Sequence, residues 1–277
     1  MSKKEQNLEQ IKAHWKNWAT TFGTDLRATT KTGTAKQVEI SALIKTINSI
    51  KSSLPIGSKI LEIGCGNGHN LLSLYKSYPE YKYEGIDFIE KMIDSAEKNK
   101  SEYRIPNDSM SFKVGNVLDL DETLNNFDLI FTIRCLINLN SDQLQLEAIK
   151  NISAKIKPGG HLLMLENSQN SYNKQNNLRH LVGLEKRVPA DFNHFFNEDT
   201  LIKDLSNFGL KEIRNENFTT LHDLVLYILV PMINGGNIDY KHPIVEAAMN
   251  LSIAISESSD EALGDYGQNR LYLFQKL

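Results

Sequence analysis

The chain is short of most features that would mark an unusual class of protein. Its 277 residues include two cysteines, Cys65 and Cys135, which provide no disulfide framework and suit a reducing compartment. Long apolar runs are missing: no stretch approaches the roughly 20 residues that cross a bilayer. Met1 to Gln10 is polar, with no apolar signal core. No membrane association and a cytoplasmic location are therefore the default expectations. A basic excess is also absent, with 31 Lys and Arg against 34 Asp and Glu and a formal net charge of −3. Domains that bind nucleic acid usually carry a basic footprint, so such a partner is disfavoured. No internal repeat is evident, although Ser168 to Asn177 is rich in Asn, Gln and Ser and reads as loop. Length and apolar share suit one α/β domain with insertions.

What the chain does have is Lys59-Ile60-Leu61-Glu62-Ile63-Gly64-Cys65-Gly66-Asn67-Gly68-His69-Asn70-Leu71-Leu72. A short apolar run of buried-strand type meets three alternate glycines and passes into Leu71, Leu72, Leu74 and Tyr75 at helical spacing. Strand, glycine turn and helix open a doubly wound α/β domain, in which a ligand approaches bare backbone. A dinucleotide fingerprint would need glycine where His69 stands, which argues against a Rossmann-like oxidoreductase. Glu62 would repel a pyrophosphate yet pair with an ammonium group, and leaving it buried and unpaired would be costly. S-adenosylmethionine carries an ammonium and a sulfonium and no phosphate. The alternative is that Glu62 accepts hydrogen bonds from the turn's own N–H groups. Tyr81 to Phe88 reads as a second strand ending in Asp87, placed to accept ribose hydroxyls, with Phe88 offering a flat face to adenine. Asp87 equally suits the N-cap of a helix beginning near Glu90.

On Glu62, Gly64, Gly66, Gly68 and Asp87 the chain resembles the class I S-adenosylmethionine-dependent methyltransferases, whose motif is E-x-G-x-G-x-G followed by a strand ending in Asp. The resemblance spans about residues 59–166 and includes the turn Lys157-Pro158-Gly159-Gly160. It implies a Rossmann-like, doubly wound seven-stranded α/β sheet whose antiparallel last strand lies between strands five and six. The corresponding division is an N-terminal helical lid over 1–58, a cofactor-binding core over 59–218, a helical cap insertion over 219–268 and a final strand over 269–277. S-adenosylmethionine is the implied cofactor, and no metal is expected. Candidate cofactor-binding residues are Glu62, Gly64, Cys65, Gly66, Gly68, Asp87, Phe88, Met92, Asn116, Val117 and Arg134. Asn116 stands where the family usually has an acid that meets the adenine amino group, and its amide carbonyl can also accept a hydrogen bond.

The rest of the chain is less specific. Leu8, Ile11, Trp15, Trp18 and Phe22 share one helical face, for core packing or for the lid, and Gly23 ends that helix. Thr24 to Thr34 reads as loop, with Arg27 as a possible carboxylate clamp. A second helix is expected over Ala35 to Ile50, and a central strand over Phe127 to Ile133. Arg134 follows that strand at the ligand-binding edge of the sheet, as an anchor for a substrate anion or as an arginine salt-bridged at a helix start. Further helices are expected over Gln143 to Ile156, Thr200 to Phe208 and Leu221 to Ile233, with strands over His161 to Glu166 and Leu210 to Phe218. His194, flanked by Phe192, Phe195 and Phe196, is the candidate general base, the alternative being a hydrogen-bonded packing histidine. The expected function is methyl transfer to an oxygen or nitrogen of a small-molecule acceptor such as a sugar or natural-product intermediate. A non-catalytic cofactor-binding protein is the second reading and a nucleic-acid methyltransferase a weak third. The insertion is a candidate homodimer contact.

Overall fold

Strands that read as apolar in sequence occupy the middle of one sheet. The structure is a computed structural model and describes residues 7–258 and 263–277; residues 1–6 of the expected lid and 259–262 of the expected insertion lie outside the described residues. The strands are β1 (Lys59–Ile63), β2 (Lys82–Asp87), β3 (Met110–Val114), β4 (Phe127–Ile133), β5 (Ile156–Asn167), β6 (Leu210–Asn217) and β7 (Asn269–Lys276). They run in the order β3-β2-β1-β4-β5-β7-β6, and β7 is antiparallel to both its neighbours while the other pairings are parallel. This is the seven-stranded arrangement that the resemblance implied. Every residue of β4 is buried, as a central strand covered on both faces requires.

Helices α1 (Leu8–Phe22), α2 (Gly33–Ser49), α3 (His69–Ser77), α4 (Glu90–Glu102), α5 (Asp142–Ser153), α6 (Gln169–Leu181) and α7 (Glu198–Leu205) surround the sheet. Leu43 and Ile47 of α2, Leu71 and Leu74 of α3 and Ile93 of α4 fill one face. Ala148, Ile149 and Ile152 of α5, with Leu201 and Leu205 of α7, fill the other.

Three elements differ from the sequence reading, each for a local reason. Ser168 to Asn177 is not loop but the start of α6, whose N-cap Ser168 accepts from the Ser171 N–H. Its buried face is Ser171, Tyr172, Gln175, Asn176 and Arg179, so the spacing is helical but the side chains are polar and hydrophobic periodicity is silent. Strand β5 begins at Ile156, before the Pro-Gly-Gly turn, and the register slips between Phe127 and Leu129 to absorb it as a bulge. The long apolar helix is α8 (Thr220–Leu224), a π-helical turn over Val225–Leu229, and α9 (Val230–Ile233). Pro231 has no N–H to return to the Tyr227 carbonyl four residues earlier, and Arg179 Nη1 donates to that carbonyl instead. Helix α10 (Pro243–Ser258) completes the insertion and packs on α2.

Candidate active site

A cavity of about 660 Å³ lies at the carboxyl ends of β1, β2 and β4, beside the point where strand order reverses. One wall is the glycine turn. Gly64 and Gly66 have φ of +73° and +53°, and a Cβ on either would collide, with Cys135 and with Thr29 respectively. Asp87, at the end of β2, is buried and faces the same space. Its Oδ2 accepts from the Gly66 N–H at 2.9 Å and its Oδ1 from the Ile89 N–H at 2.9 Å. Burial lifts its pKa to about 6 against those two bonds. Ile89 takes the N-cap position of α4, so Asp87 closes the turn before the helix instead of capping it. Each of its oxygens keeps a second lone pair for a ligand hydroxyl. Phe88 and Met92 flank it in the wall.

The N-terminal segment folds onto this turn. Asn67 Nδ2 donates to the carbonyls of Gly23 and Asp25 at 3.0 and 2.8 Å, and Trp18 Nε1 donates to the Arg27 carbonyl at 2.8 Å. Helix α2 then contributes two residues that sequence reasoning missed. Glu39, buried, lies 2.7 Å from Arg134 Nε and 3.2 Å from Lys36 Nζ, and all three line the cavity. Burial works to raise the Glu39 carboxyl, but the charges of Arg134 and Lys36 outweigh it and hold it below its ordinary value. Two cations on one carboxylate leave a positive charge at this end. Only the i,i+3 spacing of Lys36 and Glu39 marked them in sequence, and surface pairs share it.

Arg134 adopts φ +50°, and its N–H donates to the Leu165 carbonyl at 2.8 Å. Behind it, the buried Glu166 carboxylate accepts from Thr132 Oγ1 at 2.7 Å and from the N–H groups of Cys135, Leu136 and Ile137 at 3.1–3.4 Å. Those bonds fix the loop after β4, where the cavity's two halves meet.

A methyltransferase-domain family model matches residues 56–218, more than half of the chain. The chain belongs to the class I S-adenosylmethionine-dependent methyltransferases. Among its relatives is a demethylmenaquinone methyltransferase of Chlamydia trachomatis, 29% identical over 143 residues that make up 52% of this chain and 59% of that protein. An uncharacterised protein of Rickettsia prowazekii is 30% identical over 125 residues, 45% of this chain and 49% of its own. The chain thus spans about half the length of the curated relatives it matches. In fold it is similar to an S-adenosylmethionine-dependent methyltransferase from Clostridium acetobutylicum, with a TM-score of 0.57, 13% identity and coverage of 95% of this chain and 99% of that one. Magnesium protoporphyrin IX methyltransferase from Synechocystis, solved with bound S-adenosylhomocysteine, gives a TM-score of 0.56 at 12% identity, covering 87% of this chain and 84% of that one.

The family's cofactor, S-adenosylmethionine, fits what the cavity offers. Gly64 and Gly66 present bare backbone in the cavity wall, Asp87 presents a carboxylate, and the Lys36–Glu39–Arg134 group has positive charge to spare for a ligand carboxylate.

Of the candidates read from sequence, the fold brings Gly64, Cys65, Gly66, Asp87, Phe88, Met92 and Arg134 into one wall. The others lie elsewhere. Glu62 is wholly buried behind the turn and bonded neither to the turn's N–H groups nor to the cavity. Its Oε1 accepts from Asn70 Nδ2 at 2.6 Å, and Asn70, which does line the cavity, accepts in turn from Lys36 Nζ at 3.2 Å. Gly68 is a packing glycine, since a Cβ there would come within 2.8 Å of the Phe112 ring. Asn116 is exposed, and the Oδ1 expected to meet adenine accepts from the Leu118 N–H at 3.1 Å. Val117 packs into the core on the α5 face. Arg27 points to solvent and pairs with Asp25.

His194 is also turned away from the cavity. Its Nε2 lies 2.6 Å from Asp142 Oδ1 at the start of α5, and its N–H donates to the Ile137 carbonyl at 2.6 Å. Its aromatic neighbours divide: Phe192 and Phe195 line the cavity, and Phe196 enters the core. His194→Ala is therefore expected to leave turnover and cofactor affinity near wild type. It should cost about 0.5–1.5 kcal/mol of stability through the lost bond to Asp142, as urea unfolding would measure.

The second half of the cavity is aromatic. Helix α1 supplies His14, Trp15 and Trp18, α6 supplies Tyr172, the following loop supplies Arg187, Phe192 and Phe195, and the insertion supplies Tyr227 and Tyr240. His14 stacks on Phe192 at 4.1 Å and on Trp18 at 5.2 Å. Trp15 Nε1 donates to Asn138 Oδ1 at 3.0 Å, tying α1 to the loop after β4. Among the described residues, His14 is the one histidine in the cavity wall. Burial, and then the charge of Lys31, hold its pKa below the ordinary 6.5.

Proposed function

We propose that this chain transfers a methyl group from S-adenosylmethionine to an oxygen or nitrogen of a small molecule held in the aromatic half of the cavity. The observation that carries the reading is that one continuous cavity joins the glycine turn and Asp87 to that aromatic chamber. When bound, S-adenosylmethionine supplies an electrophilic methyl on its sulfonium. The chain's task is alignment, from which much of the rate of a bimolecular transfer can come. Asp87 and the backbone of Gly64 to Gly66 fix one reactant, and the loop clamped by Glu166 separates the two halves. The α1 aromatics and the segment over the turn exclude water. A hydroxyl acceptor gains from a general base, and His14, neutral near pH 7 in its stack, is the residue we assign to accept that proton.

The test is a thermal one followed by turnover. S-adenosylhomocysteine at about a hundred times its dissociation constant should stabilise the fold by ~2.7 kcal/mol. In a domain of this size that corresponds to roughly 5–10 °C in Tm. NAD at the same concentration should shift nothing, and the reverse pattern would overturn the assignment. Donor turnover over pools of small-molecule acceptors then separates an enzyme from a protein that only binds the cofactor.

The base has its own signature. A neutral imidazole is the competent form, so activity is lost as pH falls through the His14 pKa, and that acid limb should lie below 6.5. His14→Gln is expected to lower kcat by about 10²–10⁴ and to abolish the limb, with cofactor affinity unchanged. A variant that keeps the limb would place the base on another group.

A further inference from the structure

Among the described residues, Arg187 is a cation without a counter-charge in the wall of the acceptor chamber. Its guanidinium sits 3.5 Å from the centre of the Tyr227 ring and 5.4 Å from that of Tyr172. Nη1 donates to Gln175 Oε1 at 2.8 Å and to Gln268 Oε1 at 3.2 Å, both neutral amides. Its backbone is clamped at both ends by the Asn176 side chain, at 2.8 and 2.9 Å. Among the described residues no carboxylate pairs with it, and its Nε and Nη2 make no hydrogen bond, so the side-on edge that grips carboxylates is free.

The neighbourhood adds positive charge instead of cancelling it. Arg179, buried, donates to the carbonyls of Glu185 and Tyr227 and likewise has no acidic partner among the described residues. Burial, and then the charge of Arg187, hold its pKa below the ordinary value. The acid that acts on Tyr227, Asp223, already bonds to His222, Thr219 and the Gln268 N–H. A second polar group lies close by: the Tyr172 hydroxyl is buried, with the Asn176 side chain as its polar neighbour. Among the described residues this is a fixed guanidinium with no carboxylate partner, beside a buried hydroxyl in a chamber walled by aromatic rings, and so an anion seat with a flat apolar surround.

We infer that the methyl acceptor is an aromatic acid, its carboxylate held by Arg187 and its ring against Tyr227 and Phe195, with the methylated hydroxyl or amine elsewhere on the molecule. The inference rests on the reading of this chamber as the acceptor site. Its roles are set by charge and position: the carboxylate is an anchor and takes no methyl group.

Matched acid and amide probes test it, measured by calorimetry on the full chain saturated with S-adenosylhomocysteine. The pairs are para-hydroxybenzoate with para-hydroxybenzamide, and hydroxynaphthoate with hydroxynaphthamide. At least one acid should bind about tenfold or more tightly than its amide, the scale of a hydrogen-bonded charge. Arg187→Gln should erase that preference and Arg187→Lys should keep part of it, while both retain the S-adenosylhomocysteine affinity of the parent. Equal binding of acid and amide in both pairs by a wild-type chain that binds S-adenosylhomocysteine overturns the aromatic-acid assignment and leaves the cofactor reading standing. A preference that survives in Arg187→Gln overturns Arg187 as the seat. A wild-type chain that fails to bind S-adenosylhomocysteine overturns the underlying reading and this assignment with it.

Discussion

Gly66→Val should weaken S-adenosylhomocysteine binding by at least about thirtyfold. Two costs meet at this position. Gly66 has φ +53°, where a β-branched residue stores about 1–3 kcal/mol of strain. The added side chain also has no room, because its Cβ would collide with the Thr29 methyl of the N-terminal segment, and overpacking of that kind costs about 1–3 kcal/mol. The turn can relieve either cost only by moving the N–H that Asp87 holds, which disturbs the turn and the carboxylate together. A companion variant separates the two effects. In Gly66→Ala combined with Thr29→Ala the collision is gone and the φ strain remains, so affinity should recover in part. Wild-type affinity in Gly66→Val, measured by calorimetry, would show that the cofactor does not sit on this turn.

The turn could be read in sequence because its chemistry is local. Positive φ and bare backbone demand glycine at Gly64 and Gly66, and the acid that caps β2 falls at a near-fixed distance beyond them. Parallel strands buried on both faces are likewise apolar throughout, so β1 and β4 announced themselves. What escaped was built from side chains far apart in the chain. Helix α6 carries its buried face as Ser171, Tyr172, Gln175 and Arg179, because that face serves polar contacts and a cavity. Lys36 and Glu39 look like a surface pair until Arg134, about a hundred residues on, arrives beside them. The two histidines show the limit most plainly. His194 has the aromatic neighbours expected of a base, yet its loop sends Phe192 and Phe195 inward and turns the imidazole to Asp142. His14 lies on the same helix as the Trp15 and Trp18 face but outside the residues read as that face, and the loop that brings Phe192 onto it makes it part of a cavity.

Glu39→Gln should have the largest effect on stability, about 3–5 kcal/mol, the cost of removing one member of a buried ion pair. The amide keeps the shape and one acceptor oxygen, so the loss reports the charge together with the one acceptor that becomes an NH2 facing a cation. Lys36 and Arg134 would then face each other with side chains 3% and 23% exposed and no carboxylate between them. Lys36 already has a lowered pKa, with burial outweighing the attraction of Glu39 and Arg134 adding to the decrease. A lysine with a depressed folded pKa penalises folding while the unfolded chain still holds the proton, and the penalty shrinks as pH rises toward the ordinary lysine value. The gap between variant and wild type should therefore narrow from pH 7 toward pH 10, followed by urea unfolding across that range. Lys36→Gln added to Glu39→Gln returns the group to its original net charge and should recover much of the loss, whereas independent sites would add. A ligand carboxylate would meet two uncompensated cations in the single variant, so S-adenosylhomocysteine should stabilise Glu39→Gln by more than it stabilises wild type. A single variant within about 0.5 kcal/mol of wild type, the range of ordinary surface changes, would mean that the carboxylate does not hold both cations in solution.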